Sequence, residues 1–238
     1  MDLSIPSGTI ASSFDAAKTL IASAGSRSLT EDEKLQLFAA GLNLALNAPA
    51  VIQHFAVSYN PLDRCELSLR YAGGGLRLGA RRQLLDQDVD GADLSVGLAV
   101  AHVSHDFPID RVLDGMRLQG LARWDLDVPV LVGWHGDFHR IWAGPRVAFM
   151  HHSTDILLRT AGNGGAPSHD DAATASGGGA LWGVVAGAAL GYRFVFVAIE
   201  LTVARLAGSA ELNVFGRTTT ADTSSWIVSP GFALMGEF

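Results

Sequence analysis

The sequence predicts an all-β fold, an antiparallel up-and-down transmembrane β-barrel of 8–10 strands, preceded by an N-terminal α-helical segment. Three observations carry this expectation. Apolar and polar residues alternate with period two through most of the chain after residue 50. Charged residues make up only 17% of the 238, against about 25% in an ordinary soluble domain. The polar members of the alternating rows include no lysine. Lys18 and Lys34, both near the N-terminus, are the only lysines, and every other basic residue is arginine.

The clearest alternation is "RLQGLARWDLDV", Arg117 to Val128. Every odd position from 117 to 127 is polar or charged except Leu121, and every even position is apolar or small. In a soluble sheet the apolar face would be the core. In a membrane barrel it faces lipid, and the charges point into the lumen. The absence of lysine favours the second reading. A water-facing row would use lysine freely, whereas a narrow lumen suits the planar, forked guanidinium paired to carboxylates. The expected lumen network is Glu66, Arg70, Arg77, Arg81, Arg117, Arg123, Asp125, Asp127, Arg140, Arg146 and Glu200. Tyr59, Tyr71, Trp134, Tyr192 and Trp226 fall near strand ends, where aromatic girdles sit.

The chain divides near residue 50. Residues 1–50 read as helical, a periplasmic or barrel-plugging segment. Thr30 and Glu33 have capping-box spacing; Leu35, Phe38, Leu42 and Leu46 follow at helical spacing until Pro49. Residues 51–238 form the barrel. Two polar, glycine-rich stretches, 160–178 and 207–224, read as long loops at one end and as contact surfaces for an external partner. "GDFH" and the junction near Arg193 read as tight turns at the other end. One rival is a transmembrane helix over Ala180–Ile199, where Gly183, Gly187 and Gly191 have GxxxG spacing. In a strand the same glycines share one face, the lumen side, and would leave room for arginines from opposite strands.

From about residue 51 onward the chain resembles the small outer-membrane β-barrels of Gram-negative bacteria. The most specific element is the C-terminal strand, with Trp226, Val228, Phe232, Leu234 and Phe238 at alternate places, interrupted at Pro230 and Gly236. In that family such an ending is read by the barrel-assembly machinery. The resemblance therefore implies Phe232, Leu234 and Phe238 as an assembly signal and outer-membrane lipid as the surrounding partner. It also implies export by a signal peptide, which the start "MDLSIPSGTIASSF" does not show.

Signs of chemistry are few. The chain carries no phosphate-binding loop, zinc signature or nucleophile elbow. Cys65 is the only cysteine, and the net charge of −7 offers nothing to nucleic acid. No cofactor or metal is expected. His102, His105, His151 and His152 lie where strands approach the long-loop end, as residues suited to the membrane interface; His169 lies in the loop. "AFMHHSTD" places His151 and Ser153 two apart on one strand face. This is similar to the outer-membrane lipid A deacylases, and the resemblance implies Ser153 as nucleophile and His151 as general base. His102 and Ser104 repeat the spacing. The favoured reading is a barrel with a structural, binding or anchoring role and a filled lumen. The alternatives are the esterase, a narrow channel and a small hydrophobic-ligand transporter.

Overall fold

The computed structural model describes residues 2–3, 5–7, 19, 30–34, 36–37, 51–52, 54–72, 74–105, 116–160, 169–214 and 216–236. Twelve strands account for nearly all of them. They are β1 (Asp2–Leu3), β2 (Ile5–Ser7), β3 (Val51–Ile52), β4 (His54–Leu62), β5 (Cys65–Ala72), β6 (Gly75–Leu85), β7 (Asp93–His105), β8 (Met116–His135), β9 (His139–Thr160), β10 (His169–Tyr192), β11 (Val195–Val214) and β12 (Arg217–Gly236). From β4 to β12 each strand pairs with the next. β12 then pairs with β1 and β2, and β1 pairs with β3. All pairings are antiparallel.

This order closes on itself. β3 lies at one end of the sheet and β4 at the other, yet only Gln53 separates them. Cα atoms two residues apart are no more than about 7 Å from one another. The two ends of the sheet are therefore one stretch of chain, and the sheet is a barrel. β1 with β2 makes one stave and β3 with β4 another, so the twelve strands form ten staves among the described residues. The ascending stave Asp2–Ser7 belongs to the barrel wall, whereas residues 1–50 are expected from the sequence to be a helical segment, periplasmic or barrel-plugging.

The capping box forms as expected. The Thr30 amide donates to Glu33 Oε2 at 2.9 Å, and the Glu33 amide donates to Thr30 Oγ1 at 3.3 Å. Residues 31–34 and 36–37 are helical, and Leu37 is 1% exposed. Glu31 pairs with Arg217, the first residue of β12, at 3.1 Å. That contact lies at the end of the barrel away from the short turns.

The apolar face is the outer one. Leu67, Leu69 and Tyr71 on β5, Leu76 and Leu78 on β6, and Leu98 and Val100 on β7 are exposed. So are Ile141, Val147 and Phe149 on β9, Val195 through Leu201 at alternate places on β11, and Trp226, Val228, Phe232 and Leu234 on β12. Their neighbours of opposite parity face the lumen. On β9, β11 and β12 the outward apolar run covers about nine residues, as a tilted strand needs to cross a membrane.

Above this belt the sidedness reverses. Outward positions on β11 become Arg205, Ser209, Glu211 and Asn213, while Leu206, Ala210, Leu212 and Val214 are buried. On β12 the outward positions are Ser224, Asp222, Thr220 and Thr218. On β9 Ser153 and Asp155 are exposed and Thr154 and Ile156 are buried; on β10 Thr174 and Ser176 are exposed while Ala173 and Ala175 are buried. The same strands are membrane-sided below and water-sided above.

The stretches expected as loops are thus largely strand. β10 begins at His169, and β11 and β12 run to a tight turn at Gly216 (φ +74°). Serine, threonine and glycine there mark a water-facing strand face, and threonine has a high strand preference. Residues 161–168 lie outside the described residues.

Two further details depart from the expectation. Gly120 (φ +61°) sits in a bulge between Gln119 and Ala122, which shifts the β8–β9 register. Leu121, the one apolar odd position, is 4% exposed and marks this bulge. Ala180–Ile199 is strand, as preferred over the helical rival: β10 and β11 meet at Arg193 (φ +57°), and no described helix is long and apolar enough to cross a membrane. The glycines make room for aromatic rings rather than arginines. A Cβ on Gly187 would lie 2.3 Å from Trp142, and one on Gly191 would lie 2.6 Å from Phe196. Gly187→Val is expected to displace the Trp142 ring and cost about 1–3 kcal/mol through overpacking. A lower unfolding temperature by heat-modified gel migration, with altered tryptophan emission, is the measured outcome.

Candidate functional site

The lumen charges resolve into separate groups. Asp127 on β8 is 3% exposed and is shared by two arginines. Arg146 on β9 donates through Nε to Oδ1 at 2.8 Å, and Arg77 on β6 pairs with Oδ2. Arg123 donates through Nε to Asp125 at 2.7 Å. Arg81 pairs with Glu66 across β5 and β6. Small residues make the space: Ala99 and Gly97 are buried on the inner face of β7.

Two expected members play other parts. Arg140 donates to the carbonyls of Gly136 and His139, and its guanidinium carbon lies 4.6 Å from the Phe196 ring centre. It ties down the β8–β9 turn. Glu200 accepts from Trp142 Nε1 at 3.0 Å. Near the short turns the lumen is therefore packed by rings, with Phe196 fully buried against Ala189 and Ala198. The Arg117 side chain lies outside the described residues; its backbone is in register with Leu157, beyond the bulge.

A cavity of about 300 Å³ remains between these groups. Arg70, Arg77, Arg123 and Arg146 line it, together with Asp125, Asp127 and Glu200. Among the described residues no group of histidine, cysteine, aspartate and glutamate could hold a metal ion.

At the short-turn rim, beyond the lipid belt, Asp93 accepts from Gln83 Nε2 at 2.8 Å and the Gln87 amide at 3.0 Å, and meets His135 Nδ1 at 2.8 Å. Burial opposes the Asp93 charge, but His135, Gln87 and Gln83 together hold its carboxyl below the ordinary range. Gln87 in turn exchanges two hydrogen bonds with the His135 backbone. This ties the short helix Gln87–Asp90 to the end of β8; the group was not visible in the sequence, because its members lie on four separate elements, β6, the helix, β7 and β8.

On the outer face His151, Ser153 and Asp155 lie in line along β9, just above the apolar belt. Across from them in register stand Gly178, Ser176 and Thr174 of β10. Same-face positions on a strand are about 6.8 Å apart. Among the described residues no hydrogen bond joins Ser153 to His151. On the β8 side His151 faces Trp124, whose ring lies 4.4 Å from that of His102. His152 has the opposite parity: it is 2% exposed within the barrel, and neither ring nitrogen has a hydrogen-bond partner. It is not the interfacial residue expected from the sequence. The His105 and His169 side chains lie outside the described residues. Of the expected assembly signal, Phe232 and Leu234 are exposed on the outer face, and Phe238 lies outside the described residues.

No family model matches the chain, and no curated protein does. Among solved structures it is similar to Neisserial surface protein A, at 12% identity over 79% of this chain and 94% of that one, with a TM-score of 0.26. It is also similar to a mutant of the Rh. blastica porin, at 8% identity over 76% and 89%, with a TM-score of 0.11. Likeness at this level carries no argument about this chain. The barrel stands on the closure and sidedness of its own sheet.

Removing a buried carboxylate that two arginines share takes that partner from both cations. Asp127→Asn is expected to cost about 3–5 kcal/mol, read as a lower denaturant midpoint for the folded gel form.

Proposed function

We propose that the chain is an outer-membrane β-barrel of a Gram-negative bacterium with a structural, binding or anchoring role. It holds a tall sheet, β9 to β12, outside the cell. One observation carries the reading: on these four strands the outer face changes from apolar to polar at one height, and on β11 the buried face above it is apolar, with Leu206, Ala210, Leu212 and Val214. A wall of that kind suits a barrel rooted in lipid with a self-supporting sheet in water above it. The short turns then face the periplasm, and the helical segment joined through Glu31 to Arg217 lies outside with the hairpin tips.

The lumen arrangement supports a plugged barrel. The Arg77–Asp127–Arg146 group ties three staves together, and Trp142 and Phe196 fill the end below it. Discrete openings in a planar bilayer would favour the narrow channel instead. The external partner is a protein or surface that meets the polar face of β9 to β12.

Topology is testable with single cysteines. In a Cys65→Ser background, Glu211→Cys is expected to react with a membrane-impermeant maleimide on intact cells. The native Cys65, on the short-turn side, is expected to react only after the outer membrane is opened. The reverse pattern would turn the barrel over.

A further inference from the structure

One cation stands where the two media meet. Arg205 on β11 is in register with Trp182 of β10 on one side and Trp226 of β12 on the other. All three are exposed on the outer face, the tryptophans at 44% and 54%. Below the row lie Val203, Val184 and Val228; above it lie Ala180, Ala207 and Ser224. None of these neighbours is acidic. The nearest outward carboxylate on the adjoining strands is Asp222, in the row of Ser209 beyond Ala207 and Ser224. Arg205 Nη2 donates to Ser224 Oγ at 3.4 Å, so the guanidinium leans toward the water-sided part of the wall.

We propose that Arg205, with Trp182, Trp226 and Ser224, binds the phosphate group of an outer-leaflet lipid. This rests on the outer-membrane reading above. Tryptophan settles at the headgroup level of a membrane, its ring partly among acyl chains. The two rings therefore set the height of Arg205 at the phosphates. A guanidinium recognises phosphate through forked, charge-assisted hydrogen bonds, and the Ser224 hydroxyl can donate one more. A cation with no carboxylate beside it among the described residues gains most from an anionic lipid. The acyl chains of that lipid would lie on Val184, Val203 and Val228.

The test uses the full chain, folded in an uncharged detergent, with hexa-acylated diphosphorylated lipid A as probe. Retained lipid is read by native mass spectrometry. Wild type is expected to retain lipid A and not its dephosphorylated form. Arg205→Gln is expected to lower retention by about fivefold to tenfold, as the loss of one charge-assisted contact implies, and Arg205→Lys to recover part of it. Heat-modified gel migration of each variant checks that the barrel is folded. Equal retention by folded Arg205→Gln and wild type would overturn the proposal. So would equal retention of the dephosphorylated lipid, or binding of inorganic phosphate alone with the same dependence on Arg205. The barrel reading would survive each of these, because it is judged by cysteine labelling.

Discussion

A strand that crosses hydrocarbon has no water to complete its backbone hydrogen bonds, and each unsatisfied group costs several kcal/mol. The rest of this structure depends on that constraint. The meander β4 to β12 has two free edges, and neither could face lipid. The short segment Asp2–Ser7 joins them, bonding to β12 on one side and, through β1, to β3 on the other. Closure by an ascending stave places the chain start and the end of β12 at the same end of the barrel. It also yields the even stave number common to bacterial barrels.

Closure creates an inside, and the surroundings decide what the inside holds. In the belt the surroundings are lipid, so apolar side chains point out and charges are confined to a narrow lumen. There they pair: Asp127 between Arg146 and Arg77, Arg123 with Asp125. Above the belt the surroundings are water, and the usual soluble rule returns. Ile156, Leu206 and Leu212 are then the fully buried residues. A single strand such as β11 obeys both rules along its 20 residues. Its parity stays fixed while the chemistry of each face exchanges.

Much of this was legible in the residues. The alternation from Cys65 onward, the outward apolar row and the inward arginines follow from period two and the missing lysines. The Thr30–Glu33 box followed from spacing alone. Other parts were hidden for physical reasons. Asp2–Ser7 is too short to show a period. Threonine is at home in a water-facing strand, but the serines and glycines around it are also loop residues, so 207–224 could not be separated by composition. Parity tells which face a residue takes but not its partner, so Arg140 and Glu200 were grouped with the ion pairs although they bond to carbonyls and to Trp142. His152 shares the parity of Arg146 and could have been placed inside on that ground. Leu121 held the bulge in plain view, but one apolar residue out of phase is weak against five polar ones.

The uneven height of the wall follows from the same constraint that closes it. β5 and β6 have 8 and 11 residues, close to the minimum for a crossing, while β9 and β10 have 22 and 24. Among the described residues the closing stave pairs with β12 up to Ser7 opposite Trp226 and no further. Trp226 belongs to the row of Trp182 and Arg205, where the outer face turns from apolar to polar. On the β12 side the described backbone seal therefore reaches the height at which lipid gives way to water. Beyond that height an edge can be solvated, and among the described residues β12 from Arg217 to Ser225 pairs with β11 alone. Closure is required only through the hydrocarbon, and the tall strands continue upward beyond it.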